Sequence, residues 1–305
     1  MGLWQGLVRR RPRISVVVIS YNMARELPRT LFTLHPPYQR GIDPKDLEVI
    51  LVDNGSLQPP EPERIPRGTR LFVMEDPKPS PAAAINRGLA EARGDLIGVM
   101  IDGARMASPG LIRLALRALC LSPRPIIATL GLHLGPDVQM RSVMRGYSQE
   151  EEDKLLASVD WKADGYELFR ISVFGGSSRH GWFAPMSESN ALFLPAGLWQ
   201  ELGGYDERFA SPGGGFLNLD TYVRACELPD SVLITLLGEG TFHQVHGGIA
   251  TNTSLSKEAR DVWRHEYQEI RGCPFTPPAR EALFLGTPPA QAAPSFAHSA
   301  RFLER

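Results

Sequence analysis

The apolar positions of this chain fall into short blocks whose spacing changes along its length. Ile14–Ser20 (ISVVVIS) is a continuous β-branched run, the pattern of a central strand covered on both faces. Arg25–Leu34 follows with helical spacing and stops before Pro36-Pro37. Leu47–Val52 predicts a second strand that leaves through the polar Asp53-Asn54-Gly55-Ser56, and the Pro-rich, charged stretch 58–68 predicts a loop. Arg70–Met74 is a third strand, Pro81–Ala92 a helix stopped by Gly94, and Leu96–Ile101 a fourth, buried strand. Pro109–Leu121 then reads as an amphipathic helix and Ile126–Leu134 as a further strand. Strands alternating with helices predict an α/β fold with a mostly parallel central sheet flanked by helices.

The second half is less regular. Tyr147–Trp161 reads as a helix whose acidic start, Glu150 to Asp153, suits an N-terminus and a solvated face. The stretch 164–186 holds Gly175-Gly176-Ser177-Ser178-Arg179-His180-Gly181-Trp182, a loop that either receives a ligand on its aromatics or is plain surface. Ala191–Leu194 is an apolar strand, and just before it Glu188 and Asn190 alternate onto one face. Pro212-Gly213-Gly214-Gly215 precedes a helix carrying Asn218 and Asp220, and Lys257–Arg271 predicts a polar amphipathic helix. From Pro274 the chain is rich in Pro and Ala, which predicts a tail that wraps the surface or is loosely ordered. The expected organisation is a basic leader over 1–13, a first half over 14–135, a second over 136–272 and a tail over 273–305.

Composition narrows the classes. Lys plus Arg is 33 against 34 Asp plus Glu, a net charge of −1, which argues against bulk electrostatic binding to nucleic acid. Cys120, Cys226 and Cys273 form no CxxC pair, as suits a reduced, cytoplasmic setting without disulfides or a cysteine zinc site. No apolar run reaches the length of a membrane span. The leader MGLWQGLVRRRPR has no signal core, and Gly6 stands where a myristoylation motif needs Ser or Thr. Its basic, apolar mix allows at most weak peripheral contact with anionic lipid at the inner membrane surface.

Candidate chemistry sits at strand ends. Asn22, Asp53 and Asp102 each follow an apolar run, and in a parallel sheet those ends share one edge, where ligands bind. Asp102-Gly103 alone is equally a common turn pair, and Asp53, at a strand end, is expected outside the core. No GxGxxG follows the first strand and no GxxxxGK[ST] occurs, which argues against dinucleotide-binding and P-loop folds. His243 and His246 lie three apart, a spacing found in ordinary hydrogen-bonded structure and equally able to bring two imidazoles to one metal or phosphate.

Four segments change the odds together. SVVVISYN, EVILVDNGS, INRGLAEARGDLIGVMIDGAR and GGYDERF, in that order between Ile14 and His246, resemble the family-2 glycosyltransferases of GT-A fold. The resemblance implies a nucleotide-diphospho-sugar donor, a glycan or lipid-linked acceptor, and transfer with inversion in glycan or cell-surface polysaccharide synthesis. It implies that Asn22 and Asp53 hold the base and that Arg87, within Asn86-Arg87-Gly88, lines the nucleotide pocket. It further implies that Asp102 contacts the ribose and, through a divalent cation (Mn²⁺ or Mg²⁺), the diphosphate.

The departures from the family pattern set the remaining expectations. Where the family shows DXD, this chain has Asp102-Gly103-Ala104, and alanine offers no oxygen to a cation. A late histidine serves as metal ligand in some GT-A enzymes, so His246, with His243 as second choice, is expected to join Asp102, helped by Arg105 or Arg87 as positive charge on the diphosphate. Counting back from Arg224 puts Asn218 where the family's catalytic aspartate stands, and an amide is no general base. Asp220 is then the first candidate base and Glu188 close behind, although two residues on a helix rotate Asp220 by about 200° from Asn218. The alternative is a catalytically degenerate GT-A module that binds a nucleotide sugar or glycan. A nucleotidyltransferase would want a glycine-rich basic loop where SYNMARELPR stands.

Overall fold

The computed structural model describes residues 11–247 and 257–303, so most of the expected basic leader lies outside the described residues. The first half runs β1 (Ile14–Ser20), α1 (Leu27–Leu34), β2 (Leu47–Asp53), β3 (Thr69–Val73), α2 (Ala82–Glu91), β4 (Leu96–Met100), β5 (Arg105–Ala107), α3 (Leu111–Ala118) and β6 (Pro125–Leu134). The second continues with α4 (Gln139–Ser142), α5 (Gln149–Ala157), β7 (Ser172–Phe174), β8 (Ala191–Pro195), α6 (Ala196–Leu202), α7 (Leu217–Glu227) and β9 (Val232–His243). After it come α8 (Lys257–Arg271), β10 (Ala282–Gly286) and α9 (Ala293–Ala300).

One sheet takes in both halves, in the order β10-β9-β6-β8-β4-β1-β2-β3, with β5 beside β9 and β7 beside β6. Neighbours are parallel except around β5, β7 and β8, each of which runs against its partners. Every residue of β1 is buried, as its mostly apolar run predicts. Val16 and Val18 pack with Leu31 and Leu34 of α1 and with Leu111 and Ala115 of α3. Val17 and Ile19 face the other core, with Ala84 and Ile85 of α2 and with Trp199 and Tyr205 of the second half. Gly88 lets α2 lie this close, since a Cβ there would sit 2.3 Å from Val17 Cγ1.

The register positions the site. Ser20 lies opposite Asp53, and Val18 opposite Met100, so β1, β2 and β4 end on one edge. Because β8 is antiparallel to β4, with Met100 opposite Ala191, the residues just before β8 return to that same edge.

Several elements escape the sequence pattern. The longest strand, β9, has its apolar run broken by Gly238-Glu239-Gly240. Glu239 is nonetheless buried, accepting from the hydroxyls of Ser108 and Tyr166 and from the Gly110 N–H. The tail, expected to wrap the surface or be loosely ordered, contributes the edge strand β10, parallel to β9, and α9. Backbone pairing to β9 gives it order that its Pro and Ala content conceals. β5 also goes unforeseen, so Asp102 lies in a turn between two short strands and not at a free strand end. Among the described residues, no helix is long and apolar enough to cross a membrane.

Candidate active site

At the ends of β1 and β2 the predicted base-binding pair is joined through Ser56. Asp53 is fully buried and accepts from the Ser20 hydroxyl (2.8 Å), the Ser56 hydroxyl (2.5 Å) and the Ser56 N–H (2.9 Å). It is therefore a core brace and not the solvent-side group expected, because its carboxylate ties β1, β2 and the following loop together. Asn22, in the left-handed region at φ 54°, accepts from the Leu57 N–H at 2.9 Å and donates its own N–H to Ser56. The two residues thus shape one loop over the sheet edge.

Next along the edge is an electron-rich cluster built by cross-strand register. Arg105 of β5 lies opposite His243 of β9, which lies opposite His133 of β6. Asp102 Oδ1 accepts from the Ala104 N–H, and its Oδ2 accepts from Arg105 Nε at 2.8 Å. His243 Nε2 is 3.8 Å from Asp102 Oδ2 and 3.2 Å from His246 Nε2. The tautomer of His243 follows from Gln139, whose side-chain N–H₂ donates to the His243 carbonyl, leaving its Oε1 to accept from His243 Nδ1 at 2.5 Å. His243 Nε2 then carries a lone pair toward Asp102 and His246. Burial and the Arg105 charge hold the His243 pKa well below the ordinary value, and burial lowers that of His246 too, so both imidazoles are neutral at pH 7. Asp102, His243 and His246 each offer a ligand atom within 4.8 Å of the others.

His133 gives a pH prediction. Burial first, and the Arg105 charge second, pull its pKa from 6.5 to about 3. The unfolded chain takes up a proton near pH 6.5 that the folded one refuses, so stability falls as pH drops below that value. The expected loss from this group is about 2 kcal/mol between pH 7 and 5. His133→Asn, whose Oδ1 can accept the Gln139 N–H now held by His133 Nδ1, should remove that share of the slope in urea titrations at the two pH values. An unaltered slope would show that His133 is protonated in the folded protein.

Beyond Arg105 the edge continues to the start of β8. Arg105 is buried, and its Nη1 has no hydrogen-bond partner among the described residues. A Cβ on Gly131 would meet Asn190 Nδ2 at 2.8 Å and Arg105 Nη1 at 3.6 Å, so the glycine makes room for both side chains. Two residues before Asn190, Glu188 Oε2 accepts from Asn218 Nδ2 at 2.6 Å, and that amide also donates to the Ser189 carbonyl. Aspartate in place of Asn218 would set two carboxylates against each other, whereas the amide orients Glu188.

Two predicted residues are held in ion pairs. Asp220 is 1% exposed, with both oxygens taken by Arg271 (2.5 and 2.7 Å) and one also by Arg224 at 2.8 Å. As the helical rotation requires, it points away from Asn218, and its carboxylate anchors α8 to α7. Arg87 pairs with Glu91 one turn along α2 and lies over Phe72, 5.4 Å from the ring centroid. Phe72 lies opposite Val52, one register position before Asp53. Reading the sequence alone missed His133 and Gln139. The alternation of His133 with Gly131 along β6 was the one available signal.

Residues 15–107, from β1 through β5, match the family described as Glycosyl transferase family 2. Two curated validoxylamine A glucosyltransferases, from Streptomyces hygroscopicus subsp. limoneus and from S. hygroscopicus subsp. jinggangensis (strain 5008), are each 28% identical to this chain over 234 residues. Those alignments cover 72% of this chain and 50% and 53% of the relatives, so the chain spans about half the length of the curated relatives it matches. Among solved structures, S. aureus TarS 1-349 in complex with UDP-GlcNAc superposes with a TM-score of 0.51 at 12% identity. That match covers 95% of this chain and 71% of the other, a likeness of fold.

Proposed function

We propose that this chain, whose residues 15–107 match glycosyl transferase family 2 and whose fold is GT-A, is a member of that family and transfers a sugar from a nucleotide-diphospho-sugar to an acceptor hydroxyl. The observation that carries the reading is the convergence on one sheet edge of the Asp102–Arg105–His243–His246 cluster and the Glu188–Asn218 pair. The first suits a charged leaving group and the second an attacking hydroxyl. The nucleotide would lie along the loop shaped by Asn22 and Asp53. Arg105 would hold the diphosphate, its unpartnered Nη1 gaining the acceptor it lacks. Glu188, oriented by Asn218, would take the acceptor proton as the hydroxyl attacks the anomeric carbon from the face opposite the diphosphate, which inverts that centre. The reading favours Glu188 over Asp220, whose oxygens are held by two guanidinium groups.

A divalent cation fits the donor set. A carboxylate oxygen and a bare imidazole nitrogen face one another, a second imidazole lies close by, and Gln139 fixes the ring of His243. Asp102, His243 and His246 would hold it, replacing the ligand missing at Ala104, and its charge would neutralise the departing diphosphate. The transferred unit is read as a hexose or related sugar, and the acceptor as a glycan or lipid-linked glycan met at a cytoplasmic site or weakly at the membrane surface.

Calorimetric titration of UDP-, GDP- and dTDP-sugars tests the cation. Mn²⁺ is expected to tighten binding of one donor, and His246→Ala to remove most of that gain. Equal affinity in EDTA and in Mn²⁺ would leave Arg105 as the sole charge on the diphosphate.

A further inference from the structure

The acidic start of α5 is not the uniformly solvated face that its composition predicts. Glu150 and Glu151 are exposed and pair with Lys154, but Glu152 is fully buried. It reaches the backbone just before His246. Past His243 the chain leaves the β9 ladder, and residues 244–247 have no regular structure. The Gln244 N–H donates to the Ala104 carbonyl at 2.8 Å. The Val245 backbone is then satisfied by side chains. Its N–H donates to Glu152 Oε2 at 2.8 Å, and its carbonyl accepts from Gln149 Nε2 at 3.2 Å and Arg25 Nη1 at 3.3 Å. Arg25 also donates to Glu26 (2.8 Å), to Glu152 Oε1 (3.3 Å) and to Asp153 (2.6 Å), and Gln149 Nε2 donates to Glu26 at 2.9 Å. The Gln244 side chain is held by Arg29 and Thr30. This buried polar network thus joins the loop before α1, α5 and the segment that carries His246.

Burying a carboxylate is costly, and an apolar side chain at 152 would fill the same space with less desolvation. Burial in fact outweighs the Arg25 charge and the Val245 N–H, pushing the Glu152 pKa up to about 7. What the carboxylate supplies instead is a fixed acceptor for a backbone N–H that no strand satisfies. We infer that Glu152, braced by Arg25 and Gln149, is a positioning residue that latches residues 244–246 so that His246 meets His243 and Asp102. This rests on the reading of His246 as a cation ligand for its catalytic consequence, but the latch itself does not.

The test uses the full chain as wild type, Glu152→Ala and Glu152→Gln, with two readouts. Hydrogen–deuterium exchange of the peptide spanning 244–247 reports the latch. Mn²⁺ titration by calorimetry reports the ligand set. In Glu152→Ala the peptide is expected to exchange at least ~10-fold faster, and Mn²⁺ affinity to fall by about 10–100-fold, the size of effect seen when a group that orients a metal ligand is removed. Glu152→Gln keeps an acceptor oxygen for Val245 and is expected to restore both; it also covers the case in which the alanine variant does not fold. Unchanged exchange at 244–247 in Glu152→Ala, or in Glu152→Gln loosening of the whole chain with no excess at that peptide, overturns the latch. Absence of Mn²⁺ binding by the wild type overturns the cation reading alone, and exchange then decides the latch.

Discussion

Glu188→Gln is expected to lower turnover by a factor of ~100 or more while keeping donor affinity. The amide fills the same space and still accepts the hydrogen bond from Asn218 Nδ2, so the geometry at the start of β8 should persist. What it loses is the ability to take a proton. A change confined to kcat identifies a group that acts in the transition state and contributes little to holding the donor. Asn218→Asp is informative beside it, since it restores the residue that the family pattern leads one to expect but places a second carboxylate at the 2.6 Å contact. Normal turnover in Glu188→Gln removes Glu188 as base.

Asp220→Ala is expected to destabilise the fold by about 3–5 kcal/mol, the usual cost of breaking a buried pair by removing one partner. Its carboxylate is 1% exposed and shared between Arg224, on its own helix, and Arg271, at the end of α8. Arg271 also reaches Asp206 at 2.8 Å and Arg224 reaches the carbonyls of Leu202 and Gly204, so both cations keep a partner. Those contacts put the loss nearer the lower end of the range. Urea unfolding measures the stability, and donor calorimetry on the folded variant separates it from function. Full stability with turnover lost would return Asp220 to the role of base.

The two cases show how far a sequence carries. The parallel frame was legible because β1, β2 and β4 are buried on both faces and therefore read as mostly apolar runs. Such runs also mark the edge where Asp53 and Asp102 lie. The partners of those carboxylates were not legible. Ser20 and Ser56 turn Asp53 into a core brace, and Arg271, 51 residues beyond Asp220, turns the family's retained aspartate into a structural one. Helical rotation did signal that Asn218 and Asp220 diverge, but it could not say which of them faces the edge. β9 and β10 were hidden for another reason. Glycine and glutamate interrupt the first, and the second takes its order from pairing with the first.

The central claim, a nucleotide-sugar donor seated at the Asp102 edge, is tested most directly by thermal stability with candidate donors in Mn²⁺. UDP-glucose, UDP-GlcNAc, GDP-mannose and dTDP-glucose serve as probes on the wild type and on Asp102→Ala. One donor at about 100 times its Kd should stabilise the wild type by about 2.7 kcal/mol, a shift absent from the variant. Stabilisation by none of them, or the same shift in Asp102→Ala, would contradict the account.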